Sequence, residues 1–307
     1  MRYELRADQS LGKNLRRIFR QQIDAALVVA RGADEPNDTR VHAMRKHLKK
    51  ARALLQLARK RLGKAFRRED GRLRGVGRLM TEIRDAEVRL QTMRQLEDAT
   101  HHHYLSYQKI ERLLALDLEN FEDAFGDWEK AAIPMLEQVR DEAKDWRIGD
   151  YRSKQLRRAV QRSYRAGSRA LAAAKAKPSA AKFHELRKQV KLLGYQLRIL
   201  QPLNHVVVGA VSEELTELGH LLGRVHDLTF LVERLRCEQS EKHWGKQDDE
   251  LLKIIENSEA DLERDGMEMA ERFFAEGKSE FGAHIDEWIE DWHRAKSASV
   301  AEALIAA

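Results

Sequence analysis

The chain has 307 residues, enough to bury a large core, with 7% aromatic residues, 35% charged residues and four prolines, a composition that suits long amphipathic helices rather than a sheet sandwich. A formal charge of +6 and a single cysteine, Cys237, exclude an internal disulfide and a multi-cysteine zinc site and point toward anionic partners. No stretch approaches the roughly 18 uncharged apolar residues of a membrane span, and the opening MRYELRADQSLGKNLRRIF lacks a signal-peptide core, so a cytoplasmic protein with no membrane contact is expected.

In chain order, a helix is predicted near residues 10 to 31, followed by a turn from Gly32 to Asp38 that contains Pro36. Val41, Met44, Leu48, Ala51, Leu55, Ala58 and Leu62 then advance in steps of three and four, which places them on one stripe of a helix. A second seam follows in Val76, Leu79, Ile83, Ala86, Leu90 and Met93, and acidic helices follow that. A basic helix is predicted over 151 to 175, Pro178-Ser179 interrupts it, and Phe183, Leu186, Val190, Leu193, Leu197 and Leu200 form a third seam. Gln201-Pro202-Leu203-Asn204 ends that helix. The β-branched run His205 to Val211 permits an extended strand, but a helix starting after Asn204 is the preferred reading. The last seam is Leu218, Leu221, Val225, Leu228, Val232 and Leu235, again followed by acidic helices.

Charge is distributed unevenly along this plan. Residues 40 to 94 hold 18 Lys/Arg against 5 Asp/Glu, and residues 151 to 201 hold 14 against 1; residues 97 to 150 and 238 to 291 are acidic, with 6 against 14 and 6 against 18. The order is basic then acidic, twice. Val41 to Lys49 aligns with Phe183 to Lys191 through HxxRKxxK, and Gly77 to Asp85 falls on Gly219 to Asp227 at the same shift of 142 residues. An internal duplication is expected, with residues 1–150 as the first repeat and 151–307 as the second, together one all-α domain. About four helices per half predict two four-helix bundles related by a pseudo-twofold axis.

His42, Arg45, Lys46 and Lys49 lie at i, i+3, i+4 and i+7, one strip beside the packing seam, and Arg52 extends it. His184, Arg187, Lys188 and Lys191 repeat the strip, prolonged by Tyr195 and Arg198. Like charges at these spacings cost an isolated helix about 0.2 to 0.5 kcal/mol per pair, and a polyanion would offset that cost. The bland alternatives are a solvated face, or neutralisation of the basic helices by the acidic ones. Two unlinked solvated faces have no reason to repeat His, Arg and Lys in one phase, whereas two halves of one binding surface do. A histidine beside a core stripe serves structure as readily as a ligand, but its recurrence favours a shared role.

Neither strip offers a carboxylate or nucleophile in a catalytic arrangement, so no catalytic residue is assigned and an enzyme is not expected. His101-His102-His103 occupy consecutive helical positions that point in different directions, and no metal site is assigned. His226-Asp227 resembles the heart of metal-dependent phosphohydrolase sites, yet it falls on a packing helix and is read as structural. No GxxxxGK[ST] loop or other nucleotide fingerprint occurs, and no cofactor is expected.

At these residues the chain resembles the CHAD family, the conserved histidine α-helical domain. The resemblance is carried by HxxRKxxK at His42 and His184, by Ile83-Arg84-Asp85, and by Ser163-Tyr-Arg-Ala-Gly-Ser-Arg-Ala-Leu171, and it runs over nearly the whole chain. It implies a basic surface for inorganic polyphosphate between two four-helix bundles, and some members associate with polyphosphate granules in bacterial cells. Carried over, the polyphosphate contacts implied are His42, Arg45, Lys46, Lys49, Lys50, Arg52 and Arg84 in the first half. In the second they are Tyr164, Arg165, Arg169, His184, Arg187, Lys188, Lys191, Tyr195 and Arg198. Lys49-Lys50 stands where the family often has two arginines, which exchanges a bidentate fork for two point charges. The leading expectation is a non-enzymatic polyphosphate-binding protein that targets or organises granules. A nucleic-acid-binding module is the alternative, weakened because Phe66 is the only aromatic between residues 40 and 94 and bases would lack stacking platforms. An enzyme acting on phosphate polymers is the third.

Overall fold

The computed structural model describes residues 3–32, 37–100, 105–125, 128–241 and 243–305. Pro36 and the His101–His103 run lie outside them. All regular structure among the described residues is helical, in line with the all-α expectation. The elements are α1 (Leu11–Arg31), α2 (Asn37–Leu62), α3 (Lys64–Arg78), α4 (Thr81–Thr100), α5 (Leu105–Phe125) and α6 (Trp128–Glu142). After a short 3-10 turn come α7 (Ser153–Ala176), α8 (Ala180–Leu200), α9 (His205–Glu238), α10 (Lys246–Phe273) and α11 (Lys278–Ile305).

Local sequence explains the boundaries. The Ser10 side chain accepts a hydrogen bond from the Lys13 amide (3.3 Å), and Asn204 does the same for Val207 (3.1 Å), so both hydroxyl- and amide-bearing residues cap helices as their chemistry predicts. The Asn204 cap settles the β-branched run after it as the first turns of α9. Gly63, at φ 54°, supplies the left-handed conformation that lets the chain turn from α2 into α3.

The expectation of about four helices per half undercounts the described elements, which place six before residue 150 and five after it. A break at Leu79–Met80 divides the first-half seam between α3 and α4, while the matching stretch of the second half runs unbroken through 34-residue α9. Packing order is the same on both sides: α1 lies on α2 and α6 as α7 lies on α8 and α11, and α4 pairs with α5 as α9 pairs with α10. Contacts between the halves join α2 to α8, α4 to α9 and α5 to α10.

Every seam residue of α2 named above is buried, as are Phe183, Leu186, Val190, Leu193, Leu197 and Leu200 on α8. At about 1.5–3 kcal/mol for each fully buried large aliphatic side chain, these two seams are the main stabilising element at the centre of the molecule. Neither apolar core belongs to one half. The larger joins Ile18, Phe19 and Leu55 to Leu186, Leu197 and Trp288, and the smaller joins Leu90, Tyr107 and Ile110 to Leu228, Leu231 and Ile255. Polar ties reinforce the junction: Tyr151 Oη donates to Leu57 O (3.0 Å), and the amide of Leu5 donates to Ile199 O (3.1 Å).

No helix among the described residues is long and apolar enough to cross a membrane.

A candidate polyanion-binding cleft

Burying the seams of α2 and α8 fixes where their neighbouring strips must point, because residues one position away from a buried stripe emerge at its edge. Both strips open into one cleft of roughly 600 Å³ bounded by α2, α4, α8 and α9. Its cations are Arg45, Lys46 and Lys49 from α2, Arg84 from α4, Arg187, Lys191 and Arg198 from α8, and Arg224 from α9. Among the described residues Asp85 and Asp227 are the only carboxylates lining it, and His42, His220, His226, Thr216 and Tyr195 complete the polar wall.

The cations there are poorly compensated. Among the described residues Arg45, Lys46, Lys49, Arg187, Lys191, Arg198 and Arg224 form no ion pair within 4.0 Å; Arg84 reaches Glu87 three residues along its own helix (3.2 Å). Arg45 donates to Gly77 O (3.5 Å), in the last turn of α3, and to Met80 O (3.4 Å), between α3 and α4, so this guanidinium caps carbonyls at the helix break. Arg187, its counterpart, lies against continuous helix, and its buried Nε has no protein partner.

Crowding appears in the protonation equilibria. Desolvation first, and then Arg187, Arg45, Lys191 and Arg84, pull the Lys49 ammonium down to about 7. Solvent reaches the exposed Lys49 side chain, which weakens the desolvation and leaves the direction unchanged. Lys191 is lowered by desolvation and Arg187, and His42 by desolvation and by Arg84, Lys46, Lys49 and Lys191. Desolvation lifts Asp85 and Asp227 despite the arginines near them.

Part of the remaining basic surface is paired. Arg68 and Arg72 of α3 pair with Glu142, Arg40 with Glu129 (2.5 Å), Arg157 with Asp286 (2.7 Å), Lys175 with Glu271 (2.7 Å) and Arg234 with Asp117 (2.7 Å). Acidic residues thus neutralise part of the outer basic surface, while Arg165 and Arg169 of α7, like the cleft cations, form no ion pair within 4.0 Å among the described residues.

Of the residues expected as contacts, His42, Arg45, Lys46, Lys49, Arg84, Arg187, Lys191, Tyr195 and Arg198 line the cleft; the others do not. Lys50, one residue and about 100° around the helix from Lys49, stacks its ammonium over the Tyr3 ring at 5.0 Å. Arg52 pairs with Asp70 (2.8 Å). Lys188 is exposed and pairs with Glu185 (2.6 Å), and Arg165 and Arg169 are exposed on α7, away from the cleft wall. Tyr164 is buried: its hydroxyl donates to Phe273 O (3.3 Å) and Glu276 O (2.9 Å), and its ring stacks on Phe281 at 4.1 Å between centroids. His184 stands behind the wall, its ring against His226 (4.6 Å) and its buried Nδ1 without a protein partner.

Sequence reasoning missed Arg224, His220, Thr216, Asp85, Asp227 and the cleft-facing position of His226. Part of the signal is present in the doubled Gly77–Asp85 and Gly219–Asp227 stretch, from which only Arg84 is expected as a contact. It also missed why the floor is open. An added Cβ on Gly219 would meet Lys191 Cε at 3.6 Å, and one on Gly223 would meet Arg187 Nε at 3.8 Å, so two glycines one turn apart clear the space beneath the α8 cations.

The fold is all-helical and brings cations from two repeated helices, Arg45, Lys46 and Lys49 of α2 and Arg187 and Lys191 of α8, into one cleft. The family profile of the CHAD domain matches residues 15–236, and the chain belongs to that family. Two solved structures share the fold at low sequence identity. PptA from Streptomyces chartreusis superposes with a TM-score of 0.61 at 16% identity, covering 86% of this chain and 97% of that one. The CHAD domain from the plant Ricinus communis gives 0.63 at 15% identity, covering 90% and 96%. No curated protein matches the sequence.

Proposed function

We propose that this protein binds inorganic polyphosphate, without chemical turnover, in the cleft between α2, α4, α8 and α9. The observation that carries the proposal is the set of eight Lys/Arg side chains converging there against two carboxylates, with seven of the eight lacking an ion-pair partner among the described residues. A polymer with one negative charge per short repeat meets such closely set cations together, and each contact releases a condensed counterion. Arg45, Arg84 and Arg187 offer planar forks for phosphate oxygens, and Lys49 and Lys191 offer point charges. Membership of the CHAD family supports polyphosphate as the anion. Targeting to granules would follow from the same affinity.

Titration with long-chain polyphosphate at two salt concentrations tests the proposal. Binding should weaken with salt at a logarithmic slope of about −0.7 per phosphate contact, by analogy with single strands. No binding at low salt would defeat it. Displacement of polyphosphate by RNA or DNA at equal phosphate concentration would favour the nucleic-acid reading instead. Release of orthophosphate on incubation with divalent metal would replace binding by hydrolysis.

A further inference from the structure

Lys49 enters the cleft from α2 and is surrounded by charge from every wall. Arg45 and Lys46 come from its own helix, Arg84 and Asp85 from α4, Arg187 and Lys191 from α8, and His226 and Asp227 from α9. Its side chain is exposed, and among the described residues no carboxylate pairs with it. A lysine amine that is open to solvent, unpaired and flanked by guanidinium groups meets the two requirements of a reactive acyl acceptor: access, and a neighbouring grip for an anionic leaving group.

We propose that Lys49 is a site of Nε-acylation by acyl phosphates, with the cleft arginines holding the phosphoryl group while the amine attacks the adjacent carbonyl carbon. The amine lone pair forms the C–N bond as the C–O bond to phosphate breaks. Inorganic phosphate leaves with that electron pair, and the nitrogen proton passes to solvent. No oxidant or reductant is involved. The neutral amine needed for attack is more available than at an ordinary lysine, because desolvation, weakened by solvent access to the side chain, and Arg187, Arg45, Lys191 and Arg84 lower the ammonium from 10.5 toward about 7. The lower basicity of such an amine takes back about half of that gain on a logarithmic scale, as it does for thiols, leaving a lead on the order of tenfold once solvent access is allowed for. The product replaces a cation by an uncharged amide at the centre of the cleft. That this lowers polyphosphate affinity rests on the function proposed above; the selectivity of acylation does not.

The full-length protein is incubated with acetyl phosphate at pH 7.5, and the acetylation rate of each lysine is followed by peptide mass spectrometry. Lys49 is expected to react on the order of tenfold faster than Lys246 and Lys177, which are exposed outside the cleft, and added pyrophosphate is expected to slow Lys49 but not Lys246. Equal rates at Lys49, Lys246 and Lys177 would overturn the proposal. With an uncharged acetylating ester the preference for Lys49 should shrink, and an undiminished preference would refute phosphate anchoring. Polyphosphate binding is measured on the same sample before treatment. Selective acetylation of a protein that binds no polyphosphate would uphold this inference and remove the earlier one.

Discussion

His184 of α8 and His226 of α9 meet ring to ring at 4.6 Å between centroids, the second facing the cleft and the first standing directly behind it. Desolvation and then Arg187, His184, Lys49 and Arg45 hold His226 at about 3, and desolvation with Arg187 and Lys188 lowers His184 in the same direction. Burial first, and then the positive charge of the cleft, favour the neutral form of both rings. A bound polyanion cancels part of that field, so each imidazole has a higher pKa in the complex than in the free protein and binding takes up protons. Polyphosphate affinity should therefore rise as pH falls from 7.5 to 5.5, and the rise should flatten in a His42→Gln, His184→Gln, His226→Gln triple variant. Calorimetry in two buffers of different ionisation enthalpy measures the proton uptake directly. Affinity that weakens toward pH 5.5 would contradict the assignment.

The same histidine predicts the opposite trend for the ligand-free protein. The folded pKa of His226, about 3, is below its ordinary 6.5, so between those values the unfolded chain binds more protons and stability falls as pH falls. Asp85 and Asp227, whose folded pKa is raised, oppose this only in the carboxylate range just above 3.8. Thermal unfolding midpoints should drop from pH 7 to pH 5 without ligand, and polyphosphate should reduce the drop. The His226→Gln variant, which has no proton to exchange there, should show a smaller decline than the parent.

Alanine substitutions should separate the cleft cations from the outer ones. Arg187→Ala and Arg45→Ala each remove a charge-assisted contact worth about 1.5–3 kcal/mol, a loss of roughly tenfold to a hundredfold in affinity. Arg165→Ala, Arg169→Ala and Lys188→Ala should leave affinity within about twofold, since exposed outer charges act only through a screened field. Isothermal titration at fixed salt distinguishes the two sets. Equal losses in both would mean that the whole basic surface, rather than the cleft, takes the ligand.

That partition marks where the sequence stops being informative. Helical periodicity brings Arg45, Lys46 and Lys49 of the first strip and Arg187 and Lys191 of the second to one cleft, because phase along one helix is a local property, but it does not separate them from His184, behind the wall, or Lys188, paired with Glu185. It did not distinguish Lys49 from Lys50, which part company over a single 100° step and the position of Tyr3. Nor did it reveal which cations the acidic helices neutralise, since Arg157–Asp286 and Arg234–Asp117 join residues more than a hundred positions apart. The Gly219–Asp227 stretch was visible as a repeat, but its groove-forming role depends on what α8 lays across it.

Tyr164 shows the other side of that limit. Its motif, Ser163 to Leu171, resembles a family pattern and suggested ligand contact, yet both distinctive residues serve packing. Tyr164 ties α7 to the chain after α10, and a Cβ on Gly167 would fall 2.4 Å from Phe274 Cζ. Tyr164→Phe should lose about 1 kcal/mol of stability with the two carbonyl contacts. Gly167→Ala should lose more, because the Phe274 ring must move, and neither should alter polyphosphate affinity in protein that remains folded. Denaturant unfolding and binding measured on the same preparations check both halves of the statement.

Gly223 provides the sharpest separation of fold from function. Its Cβ position touches only the Arg187 Nε, at the ordinary contact distance of 3.8 Å, and it lies in the middle of a long helix where glycine costs about 1 kcal/mol relative to alanine. Gly223→Ala should therefore raise stability by up to about that amount and leave binding nearly intact. Gly223→Leu keeps the helical gain but places a branched side chain beneath Arg187, filling the groove that the glycine leaves open. It should remain folded by circular dichroism and thermal melting while polyphosphate affinity falls at least tenfold, the level expected for loss of one charge-assisted contact. If Gly223→Leu is folded and binds as tightly as the parent, the anion does not enter between α8 and α9, and the cleft walls defined by Lys191, Arg187 and His226 are not its seat.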